Sequence, residues 1–413
     1  MVERNKCMNV PELRFKGFKK EWDFCSVGDF YYFKNGLNKG KEFFGFGTPI
    51  VNFTDVFNNR GLTSDILKGR VSLSKKEISS FEVKKGDIFF TRTSETLEEI
   101  GYPSVMLDES NDTVFSGFVL RGRAINEDPL SDLFKKYVFF TNDFRKEMIR
   151  KSSMTTRALT SGTSIKKMEF YFPENKMEQE KIGIFHSIID KEIIFITTRI
   201  KLLKQIKTAS LQSMFPQEGE TVPKVRFKGF KEGWEKEKLG NLFKERIENN
   251  INGELLSVTI NNGIIKASDN GRFDNSNNDK SHYKVVKIGD IVYNTMRMWQ
   301  GASGYSAYEG IVSPAYTVII PQEQVFPLFF AYLFKTQSLI NRFRIHSQGL
   351  TTDTWNLKFA GFSIIEVCFP KSKLEQQKIA SYFCNLDKQI SLQTQRLEKL
   401  KQIKAACLDK MFV

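Results

Sequence analysis

Cysteine and histidine are scarce in this chain of 413 residues: five cysteines, at 7, 25, 368, 384 and 407, and three histidines, His186, His282 and His346. The cysteines form no CxxC pair and their number is odd. The histidines are far apart and make no HExxH, so neither a disulfide framework nor a zinc site is expected. The opening MVERNKCMNVPEL has no apolar run of the secretory kind. The most apolar window, VFPLFFAYLF at 325–334, is about half of the roughly 20 residues that cross a bilayer. The expectation is a reduced, cytoplasmic chain with no membrane partner and no metal.

Catalytic patterns are missing as well. Phe44-Gly45-Phe46-Gly47 has the look of the glycine-rich turn of an adenosylmethionine site. However, the Asp/Asn-Pro-Pro-aromatic tetrapeptide that an amino-methylating enzyme sets against its base occurs nowhere, so the fragment reads as a turn. GLNKGK at 36–41 lacks the spacing and the Ser/Thr of a phosphate loop. Glu-x-Lys triplets such as Glu174-Asn175-Lys176 are expected by chance in a chain that is 27% charged, and this one opens a helix, where a carboxylate suits the dipole. No Ser–His or Cys–His pairing is visible. The chain is expected not to be an enzyme and to bind no cofactor itself.

What is present is positive charge and aromatic mass. Lys and Arg total 62 against 48 for Asp and Glu, a formal net charge of +14, and 38 phenylalanines supply material for real cores. That balance favours a polyanionic partner, nucleic acid before an anionic membrane. The charge is spread over the whole chain, with no concentrated basic block, so sequence-independent affinity for DNA is expected to be modest.

The organisation lies in repeats. VPELRFKGFKKEW at 10–22 and VPKVRFKGFKEGW at 222–234 agree, identically or closely, at ten of 13 positions. The 43-residue stretches 173–215 and 370–412 are identical at 20 positions. Weaker echoes lie between: KKGDIFFTRT at 84–93 with KIGDIVYNTM at 287–296, and VFSGFVL at 114–120 with IVSPAYTV at 311–318. The chain is therefore two copies of one plan, a module followed by a long helix. The expected boundaries are a first module at 1–172, a helix at 173–215, a linker at 216–221 whose Pro216 and Gly219 stop that helix, a second module at 222–369 and a helix at 370–413. Openings and helices stay alike while the middles diverge, which suggests a shared partner at the edges and different readings in the middles.

The helical reading of 178–214 rests on apolar residues at three- and four-residue steps: Ile182, Phe185, Ile189, Ile193, Ile196, Ile200, Leu203 and Ile206. Ile379, Tyr382, Leu386, Ile390, Leu397, Leu400 and Ile403 keep register with them in the second copy. About 36 such residues span roughly 54 Å, too long and too narrowly apolar for a core helix, so the two copies are expected to pair as an antiparallel coiled coil between the modules. Two separate amphipathic helices, each on its own module, are the alternative. In the modules, KKGDIFFTRT, TVFSGFVLRGRAI, AYTVIIP and SIKKMEFYFP read as strands. DPLSDLFKKYVFFTNDFRKEMIRK and FPLFFAYLFKTQSLINRFRI read as helices with Pro near the start. The fold class is mixed α+β (α/β), and Trp22 and Trp234 are expected in the cores.

This combination resembles the specificity subunit of type I restriction-modification systems. The resemblance is carried by the paired openings, by Pro173…Glu178-Gln179 and Pro370…Glu375-Gln376 opening helices that contain LKQIK, by GDIFFTRT and GDIVYNTM, and by VSPAY at 312–316. It covers nearly the whole chain. It implies that the middles are target recognition domains, each reading half of a bipartite site in double-stranded DNA. It also implies that the helices set the unread spacer and dock two methyltransferase subunits, which bring S-adenosylmethionine and methylate adenine. Restriction/motor subunits, with ATP and Mg, complete the assembly. A non-DNA coiled-coil scaffold and the DNA-reading part of another restriction-methylation assembly remain as alternatives.

Candidate DNA contacts follow the GDI strands: Arg92, Thr93 and Ser94 in the first module, and Arg297, Met298 and Gln300 in the second. Arginine can fork onto guanine and glutamine can pair with adenine. A second polar loop precedes each helix-leading strand: Thr155, Thr156, Arg157, Ser161 and Thr163 in the first copy, Gln348, Thr351, Thr352 and Thr354 in the second. The alternative for each is a solvated or phosphate-contacting loop.

Overall fold

The computed structural model describes residues 9–260, 263–270, 279–352 and 354–413. Cys7 lies outside them, and the other four cysteines are free thiols. The chain forms two units that are not simple halves of the sequence. The first takes the chain up to Ile196 together with Arg396–Val413; the second takes Thr197–Gln395.

Each unit is built on a sheet centred on the GDI strand. In the first unit the order is Tyr31–Asn35, Val119–Ala124, Ile88–Thr91, Pro103–Met106 and Gly61–Leu62. In the second it is Phe243–Glu245, Tyr316–Pro321, Ile291–Asn294 and Ser303–Tyr305, the same order without the fifth strand. The central strands read as unbroken apolar runs because both faces are covered. Ile88 and Phe90 join the main core of the first unit while Phe89 joins a second cluster behind the sheet. In the second unit Ile291 and Tyr293 face the main core and Val292 the other side. The aspartate of each GDI motif closes the preceding turn and takes a bidentate arginine. Asp87 accepts from Lys84 N at 2.8 Å and from Arg123 at 2.7 Å twice; Asp290 accepts from Lys287 N at 2.8 Å and from Arg246 at 2.8 and 2.9 Å. Arg123 lies in the strand Val119–Ala124 whereas Arg246 follows Phe243–Glu245, so divergence moved the partner and kept the pair.

Main-core positions are filled by helix pairs where the sequence suggested single helices. Residues 128–151 form Asp132–Val138 and Asn142–Lys151, and residues 326–345 form Pro327–Leu333 and Gln337–Ile345. The breaks fall at Thr141 and Thr336, which hold the N-cap positions of the second helices in extended backbone while their hydroxyls donate back to Val138 O at 3.2 Å and Leu333 O at 2.8 Å. SIKKMEFYFP is likewise only half strand. Ser161 caps the short helix Gly162–Lys166, and the strand is confined to Glu169–Phe172. That strand pairs antiparallel with Asp23–Ser26, just after the module opening, and Glu366–Phe369 pairs the same way with Glu235–Lys238. Trp22 and Trp234 are buried in the two cores.

The long helices are Lys176–Ser213 and Lys373–Lys410. Their first turns explain the Glu-Gln pair. Glu178 accepts two bonds from Arg14, at 2.6 and 2.8 Å, and Glu375 two from Arg226, at 2.7 and 2.8 Å, tying each helix to its module opening. Gln179 bonds the main chain at Pro129, Ser131 and Pro173, and Gln376 does so at Gln324, Phe326 and Pro370, so one buried amide joins helix, helix pair and strand.

Within each unit the two helices run antiparallel. In the first, Asp190 pairs with Lys404 at 2.5 Å and Glu192 with Arg396 at 2.6 Å. In the second, Lys207 pairs with Asp387 at 2.5 Å and Ser210 with the Tyr382 hydroxyl at 2.9 Å. The buried and half-buried seam on the first helix is Ile182, His186, Ile189, Ile193, Ile196, Ile200, Leu203, Lys207 and Ser210, alternating four- and three-residue steps, as a coiled coil requires. Ile206 and Ile403, expected in the stripe, are exposed, and Phe185 flanks the seam at His186. At these turns the apolar residue is not the inward one, because the geometry puts a histidine, a lysine and a serine on the buried side. Each helix also ends inside the other copy's module: Phe412 packs on Trp22 and Phe134, and Phe215 on Trp234 and Phe329.

Candidate nucleic-acid interface

At the end of each GDI strand three loops are joined by the same main-chain bonds. Arg92 N donates to Phe118 O at 2.9 Å, and Thr160 N donates to Arg92 O at 3.1 Å. In the second unit Thr295 N donates to Ala315 O at 3.1 Å, and Leu357 N to Thr295 O at 2.9 Å. The loop after the GDI strand, the loop before the neighbouring strand and the polar loop of the second candidate set thus meet at equivalent places.

The first unit brings its two candidate groups together through a small sheet. Thr93–Ser94 pairs with Ala158–Leu159, which pairs with Ser153–Met154. Thr155, Thr156 and Arg157 form the exposed turn of that hairpin, and Arg157 reaches Glu95 at 3.1 Å. Arg92 is half-buried, with its guanidinium donating to Gly117 O at 3.4 Å, and Thr93 is half-buried beside it. Ser94 is buried, its hydroxyl turned to Glu99 at 3.2 Å, which removes it from contact with an outside ligand. Ser161 spends its hydroxyl capping Ser164 N at 3.1 Å, and Thr163 is exposed on the short helix that follows.

In the second unit Arg297 is exposed and precedes the single turn Met298–Gln300. Met298 is fully buried in the main core, so it anchors the turn and cannot reach a base. Gln300 is half-buried. Gln348 pairs with Asn356 through the main chain at 3.0 and 2.8 Å, and Thr351 and Thr354 close the turn between them at 3.0 Å, with Thr352 exposed. Two residues absent from the candidate set join these loops: Trp299 and Trp355 meet edge to face with ring centres 5.2 Å apart. In the first unit the corresponding omission is Phe118, 57% exposed beside Arg92. In the second unit a tryptophan inside each of the two polar loops was the available signal, one that hydrogen-bonding capacity alone does not pick out.

Among the described residues no three His, Cys, Asp or Glu side chains come together as a metal site, and no helix is long and apolar enough to cross a membrane.

Residues 231–402 match the family model of the type I restriction modification DNA specificity domain. The S subunit of a type I restriction-modification system from M. genitalium superposes with a TM-score of 0.62 at 15% identity, over 98% of this chain and 99% of that one. This chain has the fold of a type I specificity subunit. The resemblance drawn from the repeated openings and helices is thereby borne out, as is the mixed α+β class with tandem modules and paired helices. The HsdS subunit from Thermoanaerobacter tengcongensis also matches, at 14% identity over 95% of this chain and 96% of that one, with a TM-score of 0.46. No curated protein sequence matches the chain. The matched segment 231–402 begins inside the second opening and takes in most of the second long helix. The first module lies outside that segment and shares the specificity-subunit fold through the superposition over 98% of the chain, in keeping with the internal repeat and the shared strand order.

Proposed function

We propose that the chain is the sequence-reading subunit of a type I restriction-modification complex, with each unit reading one half of a bipartite site in double-stranded DNA. The carrying observation is that both units join the same three loops by the same main-chain bonds and fill them with different side chains. A constant frame with variable contents is what independent readers of two half-sites need, since the main chain positions and the side chains specify. The exposed or half-buried residues at those loops, Arg92, Thr93, Thr155, Thr156 and Arg157 in one unit and Arg297, Gln300, Gln348, Thr351, Thr352 and Thr354 in the other, are the proposed DNA contacts.

In this reading the paired helices set the unread spacer and dock two methyltransferase subunits, whose S-adenosylmethionine supplies the methyl group for adenine. Restriction/motor subunits bring ATP and Mg. The chain itself is non-catalytic and works in the cytoplasm. Internal twofold repetition suits two copies of one partner.

The test is methylome sequencing of a host given this chain with its cognate methyltransferase subunit. A new adenine mark in a split motif, absent without this chain, is the expected result. Assembly of the complex with no new mark would leave the scaffold reading in its place.

A further inference from the structure

In both units the loop after the GDI strand re-enters the sheet through a glycine, and a cation from the helix pair beneath holds that glycine's carbonyl. In the first unit the glycine is Gly101, in the left-handed region at φ 63°. Its carbonyl accepts from Arg145 Nη1 at 3.0 Å, Arg145 Nη2 donates to Glu98 O at 2.9 Å, and the guanidinium lies 4.7 Å from the centre of the Tyr102 ring. In the second unit the glycine is Gly301, at φ 83°. Its carbonyl accepts from Lys335 Nζ, which also donates to Ile260 O at 3.1 Å.

The glycines are equivalent by their bonds: Thr91 N donates to Tyr102 O at 3.1 Å and Asn294 N to Ala302 O at 2.9 Å, the acceptor in each case following the glycine. The cations are not equivalent. Arg145 belongs to the helix Asn142–Lys151, whereas Lys335 lies between Pro327–Leu333 and Gln337–Ile345. Two unrelated side chains from different points of the helix pair make one contact, at the exit of the loop that carries the candidate DNA contacts. Side-chain packing alone gives no reason for that coincidence.

We propose that Arg145 and Lys335 are positioning residues for sequence reading, each fixing the height and orientation of its loop, 92–100 or 295–300, from below without touching DNA. The inference rests on the DNA-reading assignment above. A charge-assisted bond to a carbonyl is stronger than a neutral one, and burial shields it from salt. Burial lowers the Arg145 guanidinium to about 10 and the Lys335 amine to about 8, the latter also through Lys207 and against Asp387. Both groups therefore carry charge at neutral pH. Removing Arg145 takes the charged donor from the Gly101 carbonyl, and removing Lys335 leaves the Gly301 carbonyl held by Ser303 N alone, at 2.9 Å; either change frees the loop to shift, and a shift of about 1 Å spoils a recognition geometry.

The experiment uses the full chain assembled with its methyltransferase subunits. Methylation rates are compared on the cognate duplex and on duplexes with one base pair changed in either half-site. Arg145→Met is expected to lower discrimination about tenfold in one half-site alone, and Lys335→Met in the other alone, a loss within the worth of one base pair. Arg145→Lys and Lys335→Arg keep a charged donor and are expected to restore part of it. They also carry the test if a methionine variant does not fold. Equal loss in both half-sites, or lowered thermal stability with discrimination intact, overturns the proposal. A wild-type complex with no sequence discrimination would instead overturn the DNA-reading assignment, and a discriminating wild type with unchanged variants overturns the clamps alone.

Discussion

His186 sits in the seam of the first long helix, fully buried, against Tyr137, Phe185 and Phe412, with neither ring nitrogen hydrogen-bonded. Its counterpart in the second copy is Phe383, packed against Phe215 in the same manner. Burial lowers the imidazole to about 4, with Asp190 acting in the opposite direction and Lys404 in the same one. The folded state therefore refuses a proton that the unfolded chain takes up near pH 6.5. Stability from this residue is complete above that pH and falls as the pH drops towards 4, by roughly 2–3 kcal/mol in all. His186→Phe, which copies the second unit, is expected to flatten the pH dependence of the first unit's unfolding between 6.5 and 4 and to leave pH 8 nearly unchanged. Calorimetry across that range checks it; an unaltered slope would mean that other groups set the acid response.

At the scale of elements, the ends of the long helices hold the fold in place. Glu375 is almost wholly buried, accepts both Arg226 bonds and takes a third, from Trp234 Nε1 at 3.4 Å. Arg226→Ala leaves that carboxylate buried without its cation, a change that costs about 3–5 kcal/mol. Denaturant unfolding followed by tryptophan emission should show it, and a loss under about 1 kcal/mol would mean that water reaches Glu375 once the arginine is gone. Much at this scale was legible in advance. Repeats fixed the organisation, and apolar runs found the GDI strands and both long helices. The breaks at Thr141 and Thr336 were not legible, because both threonines sit in otherwise periodic stretches and bond back to the helix before them. The seam positions held by His186, Lys207 and Ser210 could not be recognised by hydrophobicity, since their burial depends on partners elsewhere in the sequence: Tyr137 and Phe412, Asp387, and Tyr382. At the candidate interface, polarity pointed to loops that main-chain bonds join, but not to which side chains face inward. Ser94 and Met298 went into the interior, and Trp299 and Trp355 bridge the loops.

For the whole molecule, ion pairs between the long helices bound one stretch on each, from Asp190 to Lys207 on the first and from Asp387 to Lys404 on the second, with the Glu192–Arg396 pair inside them. A heptad added after Leu203 and after its counterpart Leu400 falls within both stretches and keeps the seam in phase. It lengthens each helix by about 10 Å, close to the rise of three base pairs. The expected outcome in methylome sequencing is a spacer longer by about three base pairs with both half-sites unchanged. An altered half-site with the old spacer would mean that the helices do not set the distance between the readers.

The seating of Met411 and Phe412 in the first unit's core also bears on the order of synthesis. A ribosome has released the whole of the first module long before it makes Arg396–Val413, which that module's interior requires. The second unit, by contrast, is an unbroken run from Thr197 to Gln395 and can close as soon as it emerges. Nascent domains usually fold in the order in which they appear; here the first to be made is the last to be completed. Until then its core lacks Cys407, Met411 and Phe412, and a chain stalled before residue 396 would have a second unit complete in sequence and a first without those three side chains.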